Sequence, residues 1–479
     1  MTGNDFIALL PLLITAYGAV ALTGIVAFWR SHTAAFALTL LFLAAAFVTV
    51  FVALEYAPRA VTPFFQIDRF SLYFTGLILA SAFLVTLLCR DYLQPREKSN
   101  EAFYVLLMLA VAGMIAIACS AHWAAFFLGL ETLSLSLYGL IGYTKGYRPS
   151  LEAGLKYLVL AATSSAFLLF GIALMYSEYG TMDFRRLASL MTGGELSFVT
   201  LLGLALIIVG IGFKLAIAPF HMWSPDVYQG APAPVTALIA TGSKGAVFAL
   251  LLRVVATQDL SSRPTTFMVL AVLAVATMFV GNLLALMQTN VKRLLAYSSI
   301  AQVGYLLIPL LAGGKSGPPS IAFYLFSYFA TTIAAFGVIA VISSSRAMGD
   351  VEELEEYRGL SLRHPALAAI LSLALLSLTG IPLTSGFIAK FYIFSAGIRS
   401  GLWALVILGV INSGISAFYY LRVLIVMYSR PQAEHEPLPS AKAAGAFVLA
   451  VSTAAILFFG IYPVPLIRLA ELATRRMGF

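Results

Sequence analysis

Residues 157–173 read YLVLAATSSAFLLFGIA and contain no charged side chain. About 20 apolar residues of helix are needed to cross the hydrocarbon core of a bilayer, which is about 30 Å thick. Backbone groups inside that core must satisfy their hydrogen bonds within the segment, as a helix does. The stretch and its apolar flanks, 154–177, therefore predict a transmembrane helix.

The rest of the chain has the same character. Of its 479 residues, 61% are apolar and 10% are charged, whereas about 25% of an ordinary soluble domain is charged. This composition excludes a soluble enzyme, a disordered tail and a nucleic-acid binder, since the net charge of +8 is spread thinly between apolar blocks. We predict an all-α polytopic membrane protein with about fourteen spans, at roughly 6–29, 34–54, 70–89, 102–119, 123–143, 154–177, 197–219, 235–255, 266–288, 295–312, 320–342, 366–395, 402–429 and 443–467.

A second stretch, in the eleventh predicted span, is similar to the first. Residues 323–339 read FYLFSYFATTIAAFGVI. Both stretches carry a small hydroxylic cluster followed by a Phe-Gly pair, which ends at Gly171 in the first and at Gly337 in the second. Self-similarity of this kind at a fixed spacing indicates an internal repeat.

A further match recurs at nearly the same spacing. Gly245 and Arg253 in span eight correspond to Gly414 and Arg422 in span thirteen. Two five-helix copies, spans 4–8 and 9–13, explain these matches, and coincidence among apolar helices is the alternative. Because five is odd, the second copy is expected to be inverted, as in many transporters.

These repeats divide the chain into four predicted parts. They are an N-terminal three-helix segment at 1–101, a first repeat at 102–255, an inverted second repeat at 256–430 and a C-terminal helix 14 at 431–479. Lys and Arg are more frequent in the alternate loops that contain Arg30, Arg90, Arg96 and Lys98, and such loops face the cytoplasm. Both termini are therefore expected on the periplasmic side of a bacterial inner membrane.

Three lysines lie deep inside predicted spans: Lys214, Lys244 and Lys390. A lysine at the centre of a span costs at least about 2.5–3.5 kcal/mol, so we interpret these three as functional. Glu131 is the acidic residue deep in a span, within FFLGLETLSLSLYG. A carboxylate there must be paired or protonated, and we expect it to tune a nearby lysine or to form a structural ion pair.

Three further basic residues lie closer to the ends of spans. Arg253 and Arg422 are explained by snorkelling, in which the charged head reaches the membrane surface. Lys156 lies beside Glu152. It is predicted either to snorkel or form an ion pair, or to act as an accessory relay.

Proline interrupts spans seven and twelve near two of these lysines. Lys214 lies five residues before Pro219, and Lys390 follows Pro382. A proline removes a backbone donor and opens a helix, and the freed carbonyls can hold water or an ion. We therefore predict discontinuous helices 7 and 12. His221, just after the first break, is either a proton relay or a hydrogen-bonded helix-end residue.

The chain contains none of the usual cofactor motifs. Cys89 and Cys119 lie in separate apolar runs, without CxxC, haem or iron–sulfur spacing. We found no GxGxxG, flavin or quinone motif either. The chain is therefore expected to bind no metal and no cofactor of its own.

Several motifs resemble the antiporter-like membrane subunits of respiratory complex I, and the resemblance covers nearly the whole chain. The run HMWSPDVYQGAP at 221–232 resembles the subunit N branch of NADH-quinone oxidoreductase specifically. The other matching runs are GLETLSLSLYGL at 129–140, LEAGLKYLVLAATSSAFLLFG at 151–171, NVKRLLAYSSIAQVGY at 290–305 and LTGIPLTSGFIAKF at 378–391.

The resemblance implies a proton channel made of two linked half-channels. Glu131 matches the span-five glutamate and Lys214 its span-seven lysine partner. Lys244 matches the central lysine, and Lys390 the residue that passes the proton outward. The accessory relay positions are Lys156 and His221, and Pro219 and Pro382 mark the helix breaks.

The resemblance also implies partners. Other membrane-arm subunits of complex I would surround the chain in the bilayer, and NADH, FMN, iron–sulfur clusters and quinone would be bound by partner subunits. Two alternatives remain open: an Mrp-type cation/proton antiporter subunit, and a non-catalytic membrane scaffold.

Overall fold

The computed structural model describes residues 1–97, 100–191, 196–257, 263–430 and 441–475. Within these ranges thirteen helices are long and apolar enough to cross a membrane, and the predicted twelfth span is present as two shorter helices. The prediction of an all-α polytopic membrane protein is confirmed. Lys98 and the terminal parts 431–440 and 476–479 of the predicted C-terminal segment lie outside the described residues.

The helices follow the predicted spans closely, with a short antiparallel β-hairpin between the second and third spans. The elements are α1 (Gly3–Ala8), α2 (Leu10–Phe28), α3 (His32–Tyr56), β1 (Arg59–Val61), β2 (Phe65–Ile67), α4 (Arg69–Leu93), α5 (Glu101–Cys119), α6 (Trp123–Ile141), α7 (Arg148–Tyr179), α8 (Phe184–Leu190), α9 (Phe198–Leu215), α10 (Trp223–Gly230), α11 (Ala233–Leu238), a π-helical turn (Ile239–Ser243), α12 (Lys244–Ala256), α13 (Pro264–Leu286), α14 (Val291–Ala312), α15 (Gly317–Ile342), a 3-10 turn (Leu354–Tyr357), α16 (Leu360–Arg363), α17 (Pro365–Thr379), α18 (Ser385–Arg399), α19 (Trp403–Tyr428), α20 (Ala443–Ile461) and α21 (Val464–Thr474).

The core of the bundle follows three central spans. The apolar windows of α14, of α15 and of the span formed by α11, the π-helical turn and α12 are almost completely buried. Four other helices bury about a third or less of their apolar windows, so they form the periphery of the bundle. They are α2, α3, α7 and α20. A helix that is apolar on all sides and buried belongs in the interior of a bundle, and Lys244 therefore begins a helix at the centre.

The end of the fourteenth span differs from its prediction. The single helix predicted at 443–467 is instead α20, which ends at Ile461, followed by the separate short helix α21. Pro463 precedes α21 directly as its N-cap residue. Proline has no backbone N–H with which to continue the preceding helix, so the chain breaks there and restarts.

Loop hydrogen bonds support the predicted five-helix repeat. The N–H of Trp123, the first residue of α6, donates to the carbonyl of Met182 at 2.9 Å. The N–H of Val291, the first residue of α14, donates to the carbonyl of Glu352 at 2.6 Å. The two donors, Trp123 and Val291, are separated by nearly the same number of residues as the two acceptors, Met182 and Glu352. In both copies the loop after the third helix therefore returns to the start of the second.

Helix packing repeats with the same offset. A Cβ atom added to Gly113 of α5 would lie 2.8 Å from the carbonyl oxygen of Gly129, and one added to Gly281 of α13 would lie 2.8 Å from that of Tyr297. Gly113 and Gly281 are separated by the same number of residues as Gly129 and Tyr297, whose carbonyls they approach. Small residues allow this close approach of helices in a membrane. The repeat boundaries and the inverted orientation of the second copy remain predictions.

We expect Gly113→Val to destabilise the chain by about 1–3 kcal/mol, because the added methyl groups would collide with backbone atoms of α6 that cannot rotate away. Thermal unfolding of the purified chain in detergent measures this effect. Gly24→Val is the matched control, since Gly24 lies in a transmembrane helix with nothing within 4 Å of its added Cβ. Equal melting temperatures for the two variants would contradict the close helix contact.

Both predicted helix breaks are present. The helix α9 ends at Leu215, and Ala216 adopts a left-handed conformation with φ of 59°. Pro219 lies in the turn that separates α9 from α10. The helix α17 ends at Thr379, and Gly380 follows it with a φ of 91°, a conformation that favours glycine. Pro382 lies between α17 and α18. Discontinuous helices 7 and 12 are therefore confirmed.

The snorkelling explanation for Arg253 is wrong. Its guanidinium is buried and donates to both carboxylate oxygens of Asp68, at 2.9 and 3.0 Å. This pair joins α12 to the N-terminus of α4, where Asp68 is the N-cap. Arg422 donates to the carbonyls of Leu286 and Gln288 at the end of α13. Both arginines thus bind protein groups that lie far away in the chain and that only tertiary packing brings near.

Candidate functional site

Three buried lysines define the candidate site. Lys214 is 4% exposed, Lys244 is 2% exposed and Lys390 is 6% exposed. Their amines bind hydroxyl groups and one carbonyl, and none forms an ion pair within 4 Å among the described residues. None of the three amines therefore has a carboxylate in direct contact, which a buried charge normally has.

Lys214 lies in the last turn of α9, just before the first break. Its Nζ donates to the Oγ of Ser134 on α6 at 3.1 Å and to the hydroxyl of Tyr157 on α7 at 2.8 Å. The Nζ also lies 5.4 Å from the centre of the Tyr157 ring. Tyr157 is the first residue of the stretch that predicted the membrane fold, so this apolar span also supplies a polar contact.

Glu131 forms no ion pair within 4 Å among the described residues, so of its two interpretations the structural ion pair is not seen, and tuning of a nearby lysine stays a prediction. Its Oε1 instead accepts a hydrogen bond of 2.5 Å from the hydroxyl of Ser165 on α7. Glu131 is half-buried, near the exposed side chains of Leu128 and Leu135. Ser134 lies one helical turn from Glu131, so a hydroxyl on the same helix contacts the lysine while the carboxylate faces α7.

The short helix α10 connects the surroundings of two lysines. At its start, the Trp223 ring lies 5.0 Å from the ring of Tyr157, and its Nε1 donates to the carbonyl of Phe213 at 2.8 Å. Towards its end, the Tyr228 hydroxyl lies 3.3 Å from the Oγ of Ser299. The eight residues of α10 thus span the distance between the Lys214 and Lys244 clusters.

His221 lies in the turn between α9 and α10 and is buried. Both of its ring nitrogens, and the Oγ of nearby Ser224, have no hydrogen-bond partner in the described part of the chain. Buried polar atoms of this kind commonly bind water. The structure therefore places His221 at the first break, just before α10, and its role as a proton relay stays a prediction.

Lys244 follows a π-helical turn, Ile239–Ser243, inside the eighth span. Single π-turns within α-helices are common at functional sites. The Lys244 Nζ donates to the Oγ of Ser299 at 2.6 Å, and that same oxygen lies 2.6 Å from the hydroxyl of Tyr328. Ser299 of α14 therefore links the central lysine to α15.

Lys390 lies on α18, just after the second break. Its Nζ donates to the carbonyl of Thr379 and to the Oγ of Ser413, both at 2.9 Å. The Thr379 carbonyl is available because Thr379 is the last residue of α17. The amine also lies 5.0 Å from the centre of the Tyr305 ring. Lys214 thus precedes its break whereas Lys390 follows its own, so the two breaks are not simple copies.

A small polar cavity connects the surroundings of Lys244 and Lys390. Its volume is about 10 Å³, which is close to the minimum that holds one water molecule. Tyr328, which contacts Ser299, lines it, and so does Lys390. The remaining polar lining residues are Gln302, Tyr324, Ser327, Thr331 and Ser377.

Lys156 occupies a different environment from the three buried lysines. Its side chain is 45% exposed, and its Nζ pairs with Glu152 at 2.7 Å and with Asp226 at 2.8 Å. Asp226 also pairs with Arg293 of α14 at 2.7 Å. Of its two interpretations, the ion pair is confirmed, and an accessory relay role stays a prediction.

Other buried cations in the chain are paired with carboxylates. Arg253 pairs with Asp68, and Lys292 pairs with Asp350 at 2.6 Å. Lys292 also donates to the carbonyls of Gln229 and Ala231. These contacts are typical of structural cations. The amines of Lys214, Lys244 and Lys390 differ from these cations because they have no carboxylate partner within 4 Å among the described residues.

The sequence did not identify the hydroxyl groups that contact the lysines. Those that contact an amine are Ser134, Tyr157, Ser299 and Ser413, and the hydroxyls of Tyr228 and Tyr328 contact Ser299 in turn. Ser134 could have been found from the sequence, because it lies three residues after Glu131 and so on the same side of the helix. The others come from distant spans, and only packing brings them to the amines.

Cys89 and Cys119 are free and buried. Across the described ranges, no three His, Cys, Asp or Glu side chains come together in a metal-binding arrangement.

Residues 120–416 match the family model described as NADH:quinone oxidoreductase/Mrp antiporter, TM. The chain is 43% identical over 478 residues to NADH-quinone oxidoreductase subunit N of Ectopseudomonas mendocina (strain ymp), covering 98% of this chain and 97% of the relative. It is similar to a chain of respiratory complex I from Thermus thermophilus, with 34% identity, a TM-score of 0.82 and coverage of 96% and 99%. A chain of an archaeal membrane-bound sulfane sulfur reductase gives 26% identity, a TM-score of 0.86 and coverage of 98% and 97%.

Proposed function

Since the chain belongs to the NADH:quinone oxidoreductase/Mrp antiporter family and has subunit N of NADH-quinone oxidoreductase among its relatives, we propose that it is a proton-translocating subunit of an NADH:quinone oxidoreductase. Protons would cross the membrane through Lys214, Lys244 and Lys390. The energy would come from redox chemistry in other subunits.

One observation carries this proposal: three lysines are almost fully buried, and their amines contact only neutral groups among the described residues. Burial disfavours the charged form of an amine, and no carboxylate within 4 Å offsets this. Such a group can take up and release a proton more readily than an ion-paired one. Buried ionisable residues of this kind mark proton pathways in membrane proteins.

The contacts suggest an order for the pathway. Tyr157 and α10 lead from Lys214 towards Lys244, and Ser299 with Tyr328 leads from Lys244 to the cavity beside Lys390. Hydroxyl groups both donate and accept hydrogen bonds, so they can pass a proton between amines together with water. His221 would contribute at the first break.

The proposed switch is the distance between Glu131 and Lys214. At about 4 Å and an effective dielectric constant near 20, such an ion pair is worth about 4 kcal/mol. Moving one proton against about 150 mV costs about 3.5 kcal/mol, so the two energies are comparable. In the structure each group contacts a hydroxyl instead of the other. Alternating between this arrangement and a direct pair would load and release the lysine.

The proposal includes the location and partners of the chain. Other membrane-arm subunits of complex I would contact it in a bacterial inner membrane, with both termini on the periplasmic side. NADH, FMN, iron–sulfur clusters and quinone would be bound by those partners, and this chain would carry no redox centre.

We expect Lys214→Met to lower proton translocation by the reconstituted complex about ten-fold, because a relay without an ionisable group cannot carry the proton. Assembly should persist, since Ser134 and Tyr157 are neutral and methionine leaves no charge unpaired. Dye quenching in proteoliposomes during NADH oxidation measures translocation. Glu131→Gln should act in the same direction.

Lys315→Met is the control, because Lys315 lies in an exposed loop between α14 and α15, and its translocation should match that of the unmodified complex. Normal translocation in both the Lys214 and Glu131 variants would refute their roles. Silent neutral substitutions at Glu131, Lys214, Lys244 and Lys390 together would favour the scaffold alternative.

The Mrp-type antiporter is the second candidate, because the family description covers both kinds of protein. It predicts that the purified chain alone exchanges sodium or potassium for protons. Reconstituting the chain alone and imposing a sodium or potassium gradient tests this directly. We expect no cation-driven proton flux, and flux above that of protein-free liposomes would favour the antiporter.

A further inference from the structure

An apolar groove lies between α3, α4, α15 and the C-terminal helix α21, away from the lysine axis. Its volume is about 520 Å³, which is within the range of ligand pockets. The walls include the exposed apolar side chains Phe51, Leu54, Leu469 and Leu472. An exposed apolar surface of this kind in a membrane protein faces lipid or a partner.

One charged residue, Arg69, lines this groove. Arg69 is exposed and forms no ion pair within 4 Å among the described residues. The adjacent carboxylate of Asp68 is already bound by Arg253. The groove therefore presents one available cation at the end of an apolar surface.

The length of the groove matches one leaflet of a bilayer. Arg69 is the first residue of the span α4, and the groove extends along α4 to Ala80. Eleven residues of helix at 1.5 Å each give about 16 Å, which is half of the ~30 Å hydrocarbon core. A transmembrane helix of a neighbouring subunit would need a groove about twice as long.

We propose that this groove binds an anionic phospholipid. Its phosphate contacts the guanidinium of Arg69, which forms strong paired hydrogen bonds with phosphates, and one acyl chain lies between α3, α4 and α21. The site is independent of proton translocation, so neither proposal depends on the other.

Photolabelling tests the site in the assembled complex. The complex is reconstituted with a phosphatidylglycerol that carries a diazirine in its acyl chain, or with the phosphatidylcholine of the same chains, and labelled peptides are identified by mass spectrometry. Both headgroups carry a phosphate, but the choline cation makes phosphatidylcholine neutral overall, so its attraction to the Arg69 cation is weaker. We therefore expect phosphatidylglycerol to label α3, α4 and α21 more than phosphatidylcholine does. Arg69→Gln should lower the phosphatidylglycerol label about five-fold, the effect of one basic residue on an anionic lipid.

A second variant separates the apolar groove from the charge. Gly76 lines the groove, and a Cβ added there has one neighbouring atom within 4 Å, Cε2 of Phe47 at 3.9 Å. Gly76→Leu can therefore fill the groove without a backbone clash, and it should reduce labelling by both lipids. Gly24→Leu, at an exposed position of α2 where an added Cβ has nothing within 4 Å, should leave the labelling unchanged.

Three results would overturn the proposal. Equal labelling by the two lipids would remove the role of Arg69 in recognising the headgroup. Labelling that persists in Gly76→Leu would place the lipid elsewhere. Labelling of the isolated chain but not of the assembled complex would mean that a neighbouring subunit covers the groove.

Discussion

Lys244→Met is expected to lower proton translocation by the assembled complex about a hundred-fold, the lower range of effects for a positioned proton-transfer group. Lys244 begins a helix at the centre of the bundle, and its amine contacts Ser299, which in turn contacts Tyr328 beside the Lys390 cavity. On the proposed pathway this amine is the ionisable group between Lys214 and Lys390, and the neighbouring hydroxyls of Tyr228, Ser299 and Tyr328 do not hold a positive charge at neutral pH. Translocation per NADH oxidised in proteoliposomes measures the loss.

Lys244→Arg separates proton transfer from charge. Arginine keeps a positive charge near Ser299 but does not release its proton in proteins. A relay predicts that Arg fails as Met does, whereas a structural cation predicts that Arg restores function. Full translocation by the arginine variant, with normal assembly, would exclude the relay role of Lys244.

Asp68→Asn is expected to destabilise the chain by about 3–5 kcal/mol, the cost of leaving one member of a buried ion pair without its partner. Asp68 and Arg253 form two hydrogen bonds at 2.9 and 3.0 Å, and both side chains are buried. Asparagine remains a good helix N-cap, so the loss should come from the charge alone. Chemical denaturation of the purified chain in detergent measures the free energy of unfolding.

The double variant Asp68→Asn with Arg253→Met provides the matched control. Replacing both members removes the unpaired charge, and apolar replacements of buried pairs are often neutral or stabilising. We expect it to recover most of the lost stability. Arg358→Ala, which breaks an exposed pair with Glu355, should have no measurable effect. A single Asp68→Asn variant as stable as the unmodified chain would contradict the structural role of the pair.

Local patterns predicted most of the fold. The uncharged stretch at 157–173 indicated a transmembrane helix, and α7 covers it. The prolines at 219 and 382 indicated the two breaks, since a proline removes a backbone donor from a helix. The repeat was inferred from short motifs that recur in spans six and eleven, and the loop hydrogen bonds that start at Trp123 and Val291 recur at nearly the same offset.

Long-range contacts were harder to predict. Glu131 and Lys214 lie in spans five and seven, and the sequence left open whether Glu131 tunes a nearby lysine or forms a structural ion pair. In the structure Ser165 contacts Glu131, and Tyr157 contacts Lys214. Arg253 lies near a span end, which suggested snorkelling, but Asp68 is distant in the chain and directly opposite in space. Such partners depend on which helices become neighbours.

The sequence by itself determined which segments enter the membrane, where two of them break and which charges they carry, because hydrophobicity, proline chemistry and the cost of buried charge act within one helix. The tertiary structure alone decided which of those charges are paired. Arg253 and Lys292 meet carboxylates, whereas Lys214, Lys244 and Lys390 meet hydroxyl and carbonyl groups. Hydrogen bonds and ion pairs act over a few ångströms, and only helix packing brings residues from different spans that close.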